Sequence, residues 1–381
     1  MPTDIDVSAP VEPTRTTSGR QPEEGMALCL SGGGYRAMVF HIGVLWRLYD
    51  AGLLESIKRI SSVSGGSITA GVLALAWPKL RFDPARAGTD FVTHVVGPLR
   101  RMAGTTIDSG SVIAGALLPG TISDKVTNHY RKVLFSDATL QDLPDEPRFV
   151  INATNVQSGV LWRFSKPYMR DWRVGEVRNP TVSLARAVAA SSAFPPVLSP
   201  CKLELNDDDF EPDTGVDLQR PPYTTDVILS DGGVYDNLGL ETVYKRYETV
   251  LVSDAGGQMQ PEPEPKSDWA QHSYRVLNLI DNQVRNLRKR QLIEAYRRGD
   301  RKGAYWGIRS NIEDYCLAQT LPCPHDRTMK LAGIATRLRR MSDGEQERLI
   351  NWGYAVTDAA LRRHVDESLV IGQFPYPDRG V

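Results

Sequence analysis

The chain lacks any run of about 20 apolar residues, the length needed to cross a bilayer. Its densest apolar stretch, ITAGVLALAW from Ile68 to Trp77, is far shorter, so a membrane-spanning helix is excluded and a soluble or peripheral protein is expected. Cysteine is scarce. The four present (Cys29, Cys201, Cys316 and Cys323) make no CxxC pair, and the sequence starts without the pattern of a signal peptide, so a disulfide framework is excluded and a reducing, cytoplasmic setting is expected. Cys316, Cys323 and His325 lie close together, but no fourth ligand accompanies them and no metal site is expected. Excess charge of either sign is also missing: 45 Lys and Arg offset 46 Asp and Glu. Nucleic acid is therefore not an expected partner, and any charged ligand has to meet a local patch.

Residues 1–25 carry Pro, Thr, Ser and acids with hardly an apolar side chain, which predicts a disordered tail. Order is expected from Met26, with an α/β catalytic body over 26–260 and a helical extension over 261–381 packing on it. MALCLS, from Met26 to Ser31, reads as a buried strand ending in glycines. Met38, Ile42, Leu45 and Tyr49 then recur at helical spacing up to Gly52. Ile60 to Val63 reads as a second strand, followed by a Ser64-Gly65-Gly66 turn and a helix that Pro78 stops. This βαβα unit implies parallel strands with both loops at one sheet edge. Further strands are expected at Arg148 to Ala153, Val227 to Ser230 and Thr249 to Ser253. The acidic stretch 206–213 fits no EF-hand spacing and is read as a surface loop. Beyond Pro261 long charged helices are expected, one opening on a Ser342/Glu345 capping box.

Glycine loops between strand and helix aim backbone N–H groups at negative charge. Gly32, Gly33 and Gly34, followed by Tyr35, Arg36 and Ala37, fit a dinucleotide fingerprint, but the next strand ends on Ser64 and not on the acid that a ribose needs. The other use of such a loop is an oxyanion hole. Ser64 is then the candidate nucleophile: in SVSGG it follows a strand and precedes a helix, and Gly65 and Gly66 let the turn close. Ser61 and Ser62 fall in the strand, and Ser67 falls in the helix. A serine hydroxyl needs a base. None of His272, His325 and His364 sits in a glycine-flanked turn after a strand, whereas Asp231 does, with Gly232 and Gly233 turning the chain away behind it. Asp254, in VLVSDAGG, is the rival base.

The GGGYRA loop, the SVSGG elbow, the segment ASSAFPPVLSP from Ala190 to Pro200 and SDGG together resemble the patatin-like phospholipases, and GGGYRAMVFHIGVLWRLYDAGLL is similar to the corresponding helix of cytosolic phospholipase A enzymes. The resemblance covers roughly Met26 to Gly257. It implies a three-layer fold with a mainly parallel central sheet flanked by helices, here followed by the C-terminal extension. It also implies a Ser64–Asp231 dyad, an oxyanion hole from Gly32, Gly33, Gly34 and Arg36, a lipid ester as substrate and no cofactor. Arg36 matches the family's basic residue and could meet a lipid phosphate. Ser62 departs from the pattern, standing where the elbow usually has its first glycine. Two other readings remain, a serine esterase with a histidine triad and a catalytically silent binding protein.

A lipase has to reach substrate in an aggregate. From Val284 the sequence VRNLRKRQLIEAYRRGDRKG reads as a basic amphipathic helix, with Arg285, Arg288, Lys289 and Arg290 as candidate contacts to an anionic inner membrane face. The opposing reading is a solvated helix whose Leu287 and Ile293 pack on the core.

Overall fold

The computed structural model describes residues 22–82, 89–107 and 122–381, so most of the expected N-terminal tail lies outside the described residues. Strand β1 (Glu23–Leu30) starts three residues before the expected Met26. It is the middle of a parallel group: β2 (Ile57–Val63) lies on one side and β9 (Tyr247–Asp254) on the other, with β10 (Lys302–Gly307) beyond β9. β3 (Arg148–Asn155) continues this parallel group past β2. From β3 outward the sheet becomes antiparallel, through β4 (Val160–Phe164), β5 (Tyr168–Asp171) and β6 (Gly175–Arg178). A final antiparallel pair joins β7 (Cys201–Glu204) to β8 (Asp226–Asp231), and β8 pairs with β3. The described sheet is thus mixed, ten-stranded and parallel in the part that carries the glycine loop.

Both faces of the sheet are covered, because β1 alternates between two cores. Leu28 and Leu30 point into the larger one, beneath α1 (Gly34–Asp50), α2 (Gly65–Ala76) and α3 (Leu184–Ser191). Ala27 and Cys29 join Leu238, Val243 and Val252 on the opposite face. That face receives the last turns of α4 (Trp269–Arg298) through the fully buried Leu292.

Residues after 261 do more than extend the helices, since β10 completes the sheet edge. After α5 (His325–Ala332) comes α6 (Asp343–His364), which opens on the expected capping box: Ser342 and Glu345 satisfy each other's backbone N–H. α6 crosses α1 at glycines on both helices. A Cβ on Gly43 would fall 1.9 Å from the Ile350 carbonyl, and one on Gly353 would fall 2.1 Å from that of Phe40. The buried Arg47–Asp358 pair, at 2.8 Å, pins the same contact. The core reading of the apolar stripe holds for the last turns of α4, which bury Leu292 and Ala295 and pack Tyr296 on the core, but not for Leu287, which faces outward as do Leu277 (60% exposed) and Ile280.

Candidate active site

β2 and β8 approach each other head-on along one edge of β3. β2 runs parallel to β3 and ends with Val63 beside Asn152. β8 runs the other way and ends with Asp231 beside Ala153, the next residue of β3. The residue after Val63 is Ser64, so the two strand ends deliver Ser64 and Asp231 to neighbouring positions. Both line a cleft of about 1330 Å³.

Ser64 has φ 51° and ψ −120°, a conformation that costs a non-glycine residue about 1–3 kcal/mol. What holds it there is a buried polar network. The Ser64 amide donates to Ser191 Oγ (3.0 Å), whose hydroxyl donates to the Asn152 carbonyl (2.7 Å). Ser67 Oγ bonds Ser191 Oγ (2.9 Å) and Ser62 Oγ (3.0 Å). Asn152 Nδ2 donates to Ser61 Oγ and to the Ser62 carbonyl, each at 2.9 Å. The serines around Ser64 are therefore structural partners of the elbow, and a serine at position 62 serves the turn in place of the usual glycine. The elbow glycines are needed for close approach: a Cβ on Gly65 would fall 2.1 Å from the Gly34 carbonyl and one on Gly66 would fall 2.4 Å from that of Leu30. The elbow and the glycine loop are in backbone contact.

Asp231 is 1% exposed. Its amide donates to the Ala193 carbonyl (2.9 Å), its carbonyl accepts from Thr154 Oγ1 (2.8 Å), and its Oδ1 accepts from the Gly233 amide (2.7 Å). Gly232 lets the turn pass the Asn152 carbonyl, which a Cβ would meet at 2.3 Å. Oδ2 has no partner in hydrogen-bond geometry. Burial pushes the carboxyl up to about 7, opposed by the Gly233 N–H and the adjacent Ser64 hydroxyl and supported by the negative charge of Asp281. A carboxyl so poised exchanges a proton near neutral pH. The segment ASSAFPP links both groups, with Ser191 holding the elbow and Ala193 holding Asp231.

In the glycine loop the Gly32 amide is occupied by the Asn237 carbonyl (3.2 Å). Gly33 and Gly34 line the cleft, and their amides have no acceptor among the described residues. Gly32 still sets the spacing, since a Cβ there would fall 3.0 Å from Ser64 Cβ and 2.4 Å from Asn237 Oδ1. Asn237, six residues after Asp231, was missed in the sequence because a lone Asn after a turn carries no distinguishing pattern.

Two sequence expectations need correction. Arg36 is buried and donates to the carbonyls of Ala255 (3.0 Å) and Ile334 (2.5 Å), so its guanidinium ties the loop to the C-terminal region and does not face the cleft. The basic face of α4 is divided, with Lys289 and Arg290 exposed and Arg285 and Arg288 turned to the body. Arg288 pairs with Glu241 (3.2 Å) and Asp236 (3.7 Å), Lys289 Nζ lies 4.4 Å from the centre of the Tyr305 ring, and Arg285 lines the cleft, while Arg290 is exposed. The rival base Asp254 has both oxygens engaged, Oδ1 by the Gly256 amide (2.8 Å) and Oδ2 by the Tyr305 hydroxyl (2.7 Å).

None of the six histidines lines the cleft. His41 lies beneath the glycine loop with its ring nitrogens against Ser253 Oγ (3.1 Å) and the Ser31 carbonyl (3.0 Å), and burial pushes it down to about 4. Apolar lining comes from Phe194, Val197, Leu198, Ile107 and Leu338, and the α4 lining is polar and charged.

A family model described as patatin-like phospholipase matches residues 28–244, more than half of the chain. No curated protein matches. Among solved structures, human GIVD cytosolic phospholipase A2 is similar at 14% identity and a TM-score of 0.42, over 63% of this chain; the chain spans about half, 47%, of that protein's length. The same human protein in complex with methyl gamma-linolenyl fluorophosphonate gives a TM-score of 0.49 at 14% identity, over 89% of this chain and 58% of that one. VipD from Legionella pneumophila gives 0.36 at 14% identity, over 91% and 67%.

Proposed function

Because this chain belongs to the patatin-like phospholipase family, we propose that it is a lipid acyl hydrolase that cleaves carboxylic esters of membrane lipids through an acyl-enzyme on Ser64, with Asp231 as the base. The observation that carries this reading is the pairing of a strained, cleft-lining Ser64 with a buried carboxyl raised to about 7 and no histidine in the cleft lining. Ser64 Oγ attacks the acyl carbon while its proton passes to Asp231 Oδ2. The carbonyl oxygen becomes an oxyanion, which the Gly33 and Gly34 amides at the N-terminus of α1 stabilise. Asp231 then returns the proton to the departing alcohol. In the second half Asp231 takes a proton from water as it attacks the acyl-serine, the acyl–Oγ bond breaks to release the fatty acid, and Asp231 returns the proton to Ser64 Oγ.

The apolar stretch 194–198 suits an acyl chain, and the outward Leu277, Ile280 and Leu287 of α4, on the helix that also lines the cleft, suit a peripheral contact with lipid. This reading takes the membrane face to be apolar instead of basic.

Labelling by a fluorophosphonate probe tests the nucleophile, and rates of ester hydrolysis test the base. Ser64→Ala should abolish labelling and lower hydrolysis by orders of magnitude. Asp231→Asn removes the proton acceptor at constant size and should do the same to hydrolysis, whereas replacing His272, His325 and His364 together should leave it largely intact. Full activity in a folded Asp231→Asn variant would sink the dyad.

A further inference from the structure

The cleft carries basic charge that its own acids do not match. Arg285 lines it from α4, and Arg337 and Arg339 line it from the segment between α5 and α6. Arg36 and Arg309 are close behind, and the positive charges act on one another: Arg309 and Arg285 both lower the proton affinity of Arg36, after burial, and Arg285 lowers that of Arg309. The bonds these groups make go to neutral acceptors. Arg285 reaches Asn282 Oδ1 (3.3 Å), Arg309 the Ala332 carbonyl (3.0 Å), and Arg36 the two carbonyls described above. Of the acids around them, Asp254 is occupied by an amide and a tyrosine hydroxyl, and Asp281, which also lines the cleft, is attracted by Arg285 alone of the three cleft arginines Arg285, Arg337 and Arg339. Arg337 and Arg339 form no ion pair among the described residues and are exposed.

The positions of Arg285 and Arg337 relative to the ester site follow from side-chain contacts of the first and backbone contacts of the second. A Cβ on Gly256 would fall 2.4 Å from Arg285 Nη1 and 3.0 Å from Asn237 Nδ2, and Asn237 Oδ1 touches Gly32, the neighbour of Ser64. Arg285 and Asn237 thus meet at Gly256, and Asn237 in turn lies against Gly32 of the loop beside Ser64. Arg337 packs its backbone on Gly34, where a Cβ would meet the Arg337 carbonyl oxygen at 2.9 Å, and that oxygen accepts from the Tyr35 amide (3.1 Å). The arginines therefore flank the glycine loop on its C-terminal-region side. In a glycerophospholipid the phosphate lies only a few bonds from an acyl carbonyl, so an ester placed at Ser64 brings its phosphate into the reach of flexible guanidinium groups, whose paired donors match phosphate oxygens.

We propose that Arg285, Arg337 and Arg339 form an anion subsite that holds the phosphate of the substrate's head group while its ester lies at Ser64. The subsite rests on the reading of Ser64 given above. It lies outside residues 28–244, so head-group recognition is supplied by the C-terminal part of this chain.

The test is a binding measurement in the Ser64→Ala protein, by calorimetry, with dihexanoylphosphatidic acid below its micelle concentration and with dihexanoylglycerol. The phosphatidic acid should bind at least about tenfold more tightly than the glycerol, and that gap should close when Arg285, Arg337 and Arg339 are replaced by Gln. Arg297→Gln, which removes a charge from the same helix away from the cleft, should keep the gap. In the active protein the triple variant should lose about tenfold more kcat/KM on the phospholipid than on the neutral ester. A gap that persists in the triple variant overturns the subsite, as does an equal loss on both ligands. Inorganic phosphate binding as tightly as the phosphatidic acid overturns the head-group assignment. Failure of a fluorophosphonate to label Ser64 in the otherwise unaltered protein would overturn the catalytic reading instead, and the binding comparison would still decide the subsite.

Discussion

At Ser64 the backbone and the side chain have opposite requirements. The hydroxyl calls for a serine, and φ 51° with ψ −120° calls for a glycine. Ser64→Ala and Ser64→Gly both lose the hydroxyl, so comparing them isolates the strain. Ser64→Gly should be the more stable of the two by about 1 kcal/mol in urea unfolding, and both should be inactive. Equal stability would mean that the Ser191 and Asn152 network does not have to hold a strained turn. The places of Ser64 and Asp231 at strand ends before paired glycines were legible in the sequence, but Asp254 stands in a similar turn, and the preference for Asp231 rests on the D-G-G match alone. Arg36 was not legible. Its place in the loop was right, but the direction of its side chain is decided by carbonyls of residues 255 and 334, more than two hundred positions away. Arg285 was misassigned for a related reason: a basic helix reads as one charged face, although three of its basic side chains have separate partners on the body or in the cleft.

At the scale of the element, the parallel βαβα core was legible from the switch of period between strand and helix, and β4 to β7 were not. They are four or five residues long with mixed polar and apolar faces, and their pairing depends on neighbours that no local pattern specifies. The head-on meeting of β2 and β8 belongs to the same class: each strand was expected, but the antiparallel direction of β8, which brings Asp231 to Ser64, is a tertiary fact. The contact of α1 with α6 allows a sharper test. Gly43→Ala would put a methyl into the Ile350 carbonyl, and the helices would have to separate, at a cost of about 1–3 kcal/mol. Chemical unfolding should show that loss, whereas Gly344→Ala, with open space around it, should change little. The outward face of α4 has its own prediction. Leu277→Asp with Ile280→Asp should weaken sedimentation with vesicles and spare hydrolysis of a short soluble ester, because neither side chain lines the cleft. Unchanged sedimentation would remove α4 from the membrane contact.

For the molecule as a whole, the proposed role of Asp231 sets activity against stability. Its carboxyl ionises near 7 in the folded chain, against an ordinary value of 3.8. Below 3.8 the group is protonated whether the chain is folded or not, and its favourable contribution is fully present. Between 3.8 and 7 the unfolded chain gives up the proton while the folded one keeps it, so stability declines with rising pH, and the loss is complete once the folded group has ionised. A shift of this size corresponds to roughly 4 kcal/mol at most. On the mechanism proposed above catalysis has the opposite dependence, because only a carboxylate can accept the Ser64 proton, and kcat/KM should rise through pH ~7 and level off. Asp231→Asn cannot ionise and escapes the penalty. Its stability relative to the parent, measured by urea unfolding, should therefore grow by a few kcal/mol from pH 4 to pH 8, over the same interval in which the parent becomes active. A difference that stays constant with pH would mean that Asp231 is ionised throughout, and the rise in activity would then have to come from another group.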